Sequence, residues 1–227
     1  MAVESGCVDM LSGQILDCAL LELKNALEYR SFRVVRTSNN HYSPHALGSI
    51  LLLVTAFDIW LNELIGHFGP FDPGFKELAC QPLLKKYYGL PKQLVKTTIP
   101  PHRELELLVE LRHEIAHYLP RVIKDKGNVP TWFAELNRRR LFCTGPDPEA
   151  DYYTMSSKLA SYRLAYWAWE TTEGAIGDLF EALSPLGQRL GGVRSVATNF
   201  TQYRKLYSPA QLGMFDQAHK LSLSPKH

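Results

Sequence analysis

ELELLVELRHEIAHYLP, residues 104–120, is the stretch on which the fold and the functional reading both turn. Leu105, Leu108, Val109, Leu111, Ile115 and Ala116 recur at helical spacing, which predicts a helix starting near His102. Pro120 disfavours a helical residue before it, so that helix ends by Tyr118 or Leu119. Two motifs overlap inside it. From Arg112 the stretch reads Arg-x4-His, with His117 as the histidine. From His113 it reads His-Glu-x-x-His, with His113, Glu114 and His117.

Outward from this stretch the pattern stays helical. Leu11, Ile15, Leu16, Ala19, Leu23 and Ala26 predict a first helix over 8–29. Ser31 to His41 reads as a loop. Ser43-Pro44 supplies an N-cap and a first-turn proline for a second helix reaching about Gly66. That helix is apolar nearly all round, which makes it central. Asp58 and Asn62 interrupt it on one shared face.

A short helix is expected over 75–88, open to a break at Pro82 and stopped by Gly89-Leu90-Pro91. Residues 92–101 read as irregular and 130–143 as a further helix. A long helix over 153–183 follows, with Leu159, Tyr162, Ala165, Trp169, Ile176 and Leu179 on its apolar side. No alternating, β-branched run appears, so the fold class is all-α: a helical domain over 1–190 and a C-terminal extension over 191–227.

The 227 residues are 45% hydrophobic and 21% charged, which suits one domain with a core and excludes disorder throughout. Cys7, Cys18, Cys80 and Cys143 form no C-x-x-C pair and read as free thiols. MAVESGCVDM lacks a basic region ahead of an apolar one, and the longest apolar run, Ile50 to Phe57, is short for a bilayer. A cytoplasmic protein with no membrane partner is expected. Net charge is only +2, yet residues 85–140 hold twelve Lys/Arg against six Asp/Glu. Such a concentration suits a phosphate backbone or, equally, a solvated helical surface.

The zinc reading of His-Glu-x-x-His places His113 and His117 on one helix face with Glu114 as general base. A catalytic zinc needs a third protein ligand, and after His117 only His219 and His227 remain as histidines. Glu110, three places before the motif, and Arg112 beside it put charge where such sites favour neutral residues.

The other reading rests on a resemblance. LRHEIAH (111–117), TAFDIWLNELI (55–65) and the long late helix together resemble the HEPN superfamily (higher eukaryotes and prokaryotes nucleotide-binding domain) over about residues 8–185. Asp58 stands where the family more often has Glu. The resemblance implies an HEPN-like bundle acting as a metal-independent endoribonuclease of toxin or defence type. It implies RNA as substrate, no cofactor, a homodimer with a composite site, and an antitoxin or regulatory protein as a further partner. Arg112 and His117 would be catalytic, with His113, Glu114 and Asp58 in support and Asp58 orienting Arg112.

The residue types fit that chemistry. Histidine takes and gives protons near neutral pH, and arginine grips phosphate oxygens through a planar fork. Residues five apart lie ~140° apart around a helix, so Arg112 and His117 do not share a face. The alternatives are a zinc-dependent hydrolase on His113 and His117, and a non-catalytic helical binding module in which Arg112 pairs with Glu106 or Asp58.

Overall fold

A computed structural model describes residues 11–33, 43–68, 74–117, 130–139, 141–142 and 159–190, with side chains described except at 27–33 and 188–190. The expected loops at 121–129 and 144–150, the first turn of the last helix and the extension from 191 lie outside the described residues. Every regular element within them is helical: α1 (Leu11–Arg33), α2 (Pro44–Phe68), α3 (Gly74–Ala79), α4 (Leu83–Val95), α5 (Arg103–Ala116), α6 (Thr131–Arg138) and α7 (Tyr162–Leu183), then a 3-10 segment, Ser184–Leu190. The all-α expectation holds.

α2 is the centre. Ile50, Leu53, Phe57, Trp60, Leu61 and Leu64 are buried along it, and α1, α3, α4, α5 and α7 all pack on it. A helix apolar nearly all round must be covered on most of its sides, so the others gather on it, while Asn62, Gly66 and His67 near its end stay exposed. Phe57 stacks on Trp60, and Trp60 meets Phe180 of α7 at 5.6 Å. Taken whole, α2 is long and apolar enough to cross a membrane by length and composition, although the unbroken run 50–57 is not; 56% of that window is buried inside the bundle.

The α3–α4 region departs from expectation. Pro82 does separate two helices, but Gly89-Leu90-Pro91 does not stop the second. α4 runs through Pro91 to Val95 because Leu83, Lys86, Tyr87, Leu90 and Pro91 form one buried stripe. The proline removes one helical hydrogen bond, and the packing offsets that loss. Gly89 is where α3 comes closest: a Cβ there would stand 2.7 Å from Leu78 Cδ1. The helix ends instead at Lys96, whose φ of 58° is left-handed and whose N–H donates to the Pro91 carbonyl.

α5 is set by its cap. His102 Nδ1 accepts from the Leu105 N–H at 3.1 Å, and the His102 N–H donates to the Tyr88 hydroxyl at 2.8 Å. The cap thus ties α5 to α4 before the first turn is complete. Leu105, Leu107, Leu108 and Leu111 are buried, while Ala116, an expected core residue, is exposed. α5 closes at His117, whose N–H donates to the His113 carbonyl.

Candidate functional site

The exposed side of α5 carries the motif. His113 and His117 are one helical turn apart, and their rings lie 4.7 Å centre to centre at 53°. Both are exposed. Arg112 sits at the edge of the buried side, partly covered, and has no hydrogen-bond or ion-pair partner among the described residues. The structure therefore brings His113 and His117 together and leaves Arg112 on another line of the helix, as the ~140° rotation requires.

Neither expected partner of Arg112 is available to it. Asp58 Oδ1 accepts from Lys86 Nζ at 2.8 Å, so the expected Asp58–Arg112 contact is replaced by Asp58–Lys86. The reason is depth. Lys86 lies on the buried stripe of α4 with a side chain only 6% exposed, and a buried ammonium must be paired. Glu106 receives Arg103 at 3.3 Å.

A cleft of about 450 Å³ lies over α5, walled by Leu84 and Trp132 and floored by Glu106, Glu110, His113 and Glu114. It gathers His113 and Glu114. Arg112, His117 and Asp58 are not among its lining residues. Its charged lining is acidic, with Glu106, Glu110 and Glu114 beside His113.

Beside the cleft runs a charge network that sequence reading did not find. Arg139 binds Glu104 and, at 2.7 Å, Glu135; Arg103 bridges Glu135 and Glu106; Trp167 Nε1 donates to Glu104 at 2.7 Å. This chain of charges joins α5, α6 and α7. Burial alone would raise the Glu104 pKa, but hydrogen bonds from Arg139 and Trp167 outweigh it and hold the carboxyl below its ordinary value. Glu135 behaves the same way: desolvation raises it, and Arg139 and Arg103 more than reverse that. The steps from Arg103 to Glu106 and from Glu135 to Arg139, three and four residues, are the signals of this network in the sequence.

Tyr87 is fully buried, and its hydroxyl has no hydrogen-bond partner among the described residues. Burial first, and the Asp178 charge second, push its pKa well above the ordinary phenol value. It packs edge-on against Phe57 and Tyr88, as a core residue does.

For a metal, His113 and His117 have the right spacing for two ligands. No group of three or more His, Cys, Asp or Glu side chains converges among the described residues, so a third ligand is missing there.

No family model, curated protein or solved structure matches this chain. The functional reading therefore rests on the residues of α5 and their surroundings.

Proposed function

We propose that the chain is a metal-independent endoribonuclease. The 2′-hydroxyl of RNA attacks the adjacent phosphorus, the 5′-oxygen leaves, and a 2′,3′-cyclic phosphate remains. Arg112 holds the scissile phosphate and offsets the charge that builds on its oxygens. His117 moves the proton, and His113, in ring contact with it, assists. Glu114 borders His113 at the cleft. Asp58 supports the site indirectly, by fixing α4 against α2 through Lys86.

The observation that supports this reading is the state of Arg112. A structural arginine in this protein looks like Arg139 or Arg103, each bound to two carboxylates. Arg112 has neither Asp58 nor Glu106 and no other partner among the described residues. A partly buried guanidinium in that condition suits an anion that arrives from outside. A homodimer whose two copies share one site would relieve the angular separation of Arg112 from His117. Cleavage of labelled single-stranded RNA in excess chelator, with Arg112→Ala and His117→Ala beside the wild type, tests the proposal.

One observation favours a second reading, a non-catalytic helical binding module. Glu110 and Glu114 line the cleft with His113, beside a Glu106 that Arg103 already holds, and such a lining suits a cationic ligand rather than a phosphate backbone. In that case the folded protein binds a basic peptide and cleaves nothing.

A further inference from the structure

Not every basic residue of 85–140 is committed to a carboxylate. Lys86, Arg103 and Arg139 are. Lys85 and Lys92 are exposed and have no hydrogen-bond or ion-pair partner among the described residues. Both line a groove of about 600 Å³ formed by α3 and α4, distinct from the cleft over α5.

The groove follows one side of α4. Lys85, Tyr88 and Lys92 stand three and four residues apart, so they share a helix face. Seven residues of helix set the two lysines about 10 Å apart along the axis. Gly89, which also lines the groove, puts no side chain between them. Tyr88 is fixed before any ligand arrives: its hydroxyl accepts from the His102 N–H at 2.8 Å, and its ring meets Tyr87 edge-on at 5.0 Å. Gln81 and Gln93, which flank the lysines in sequence, add amides to the lining.

We infer that this groove holds a single strand of RNA, an inference that rests on the ribonuclease reading for its substrate. The lysines take the phosphate backbone, and the Tyr88 ring takes the face of a base. Charge selects an anion, since two free lysines face one carboxylate in the lining, Glu77. The ring between the lysines selects a nucleic acid over an acidic peptide, for which the lysines alone would serve. Stacking accepts every base, so the groove carries little sequence preference.

The groove adjoins the candidate site, because Leu84 walls both it and the cleft that holds His113. Glu110 and Glu114 in that cleft repel phosphates, which keeps the strand on the α4 side of Leu84. The groove positions RNA next to α5 and takes no part in the chemistry.

The test is fluorescence anisotropy of a labelled single strand of 2′-deoxynucleotides with the full chain over a range of salt. Such a strand lacks the attacking hydroxyl, so binding is read apart from cleavage. The wild type should bind, with affinity falling as salt rises. Each phosphate contact contributes about 0.7 to the slope of log affinity against log salt, so Lys85→Gln with Lys92→Gln should lower that slope by about 1.4. Tyr88→Leu should bind about tenfold more weakly than Tyr88→Phe. Both lose the bond to His102, so their difference reports the ring alone. Glu77→Gln should tighten binding, a gain that misfolding does not produce. Polyglutamate should compete poorly.

Absence of binding by the wild type overturns the inference. So does a slope unchanged in the double lysine variant, equal binding by the two Tyr88 variants, no gain in Glu77→Gln, or polyglutamate competing as well as the strand. Binding that follows these variants without any cleavage of RNA removes the ribonuclease reading and leaves the groove as a strand-binding site. Cleavage with binding indifferent to them does the reverse.

Discussion

Lys86 Nζ lies 2.8 Å from Asp58 Oδ1, the ammonium almost fully buried and the carboxylate 40% exposed. This pair joins α4 to α2 and bears on how Arg112 is read, because it holds the acid that the sequence offered as the partner of Arg112. Breaking it from one side differs from breaking it from the other. Asp58→Ala strands a buried ammonium and should cost about 1–3 kcal/mol, less than a wholly buried pair because solvent reaches the carboxylate. Lys86→Met keeps the packing and removes the charge, so it should be close to neutral. Urea unfolding of both variants checks this. A Lys86→Met more damaging than Asp58→Ala would show that the pair holds α4 by more than burial.

The Glu104 network predicts acid sensitivity. Glu104 and Glu135 have pKa values lowered from 4.5 in the folded chain. A carboxyl with a lowered folded pKa binds fewer protons when native than when unfolded. Its contribution is therefore present above the unfolded pKa and is lost as pH falls through the folded one. Stability should decline as pH drops below about 4.5, and Glu104→Gln should flatten that decline. At neutral pH the same variant should cost about 1–2 kcal/mol, since Glu104 is a third exposed. Urea midpoints measured from neutral to acid pH would reveal it. An equally steep decline in Glu104→Gln would remove Glu104 from the cause.

The α5 cap is a single residue with two jobs. His102→Ala removes the acceptor for the Leu105 N–H and should lower stability by about 1 kcal/mol. His102→Asp supplies a carboxylate oxygen as acceptor in place of the ring nitrogen and should recover most of it. Tyr88→Phe removes the acceptor for the His102 N–H and should act in the same direction as His102→Ala. Thermal melts of the three variants give the order. No difference between His102→Ala and His102→Asp would contradict a capping role.

Much of the bundle was legible because burial writes itself into composition. α2 is apolar nearly all round, and it is the central helix. Ser43-Pro44 announced its start, and α2 begins at Pro44, but the buried Ser43 hydroxyl makes no capping hydrogen bond among the described residues. α4 was misread because Gly89 and Pro91 are local stop signals, while Leu83, Tyr87 and Leu90 act through neighbours distant in sequence. The site was legible in part. Helical spacing alone puts His113 beside His117. The partner of Asp58 was not readable, since nothing local distinguishes Lys86 from Arg112; burial of Lys86 does, and burial belongs to the folded chain. For the same reason the sequence did not show that Lys86, Arg103 and Arg139 meet carboxylates, two of them thirty or more residues away.

Arg112 is the most informative residue to remove. Because it holds no partner among the described residues, Arg112→Ala should leave the thermal midpoint nearly unchanged, within the ±0.5 kcal/mol usual for a substitution that breaks no contact. A large loss of stability would return Arg112 to a structural role and weigh toward the binding-module reading.

The central claim is tested most directly by incubating labelled single-stranded RNA with the full chain in excess EDTA, alongside Arg112→Ala and His117→Ala of verified helicity. The account predicts that the wild type cleaves, that its products end in 2′,3′-cyclic phosphate, and that both folded variants are inactive. Cleavage that stops with the chelator, or that persists undiminished in both variants, would contradict it.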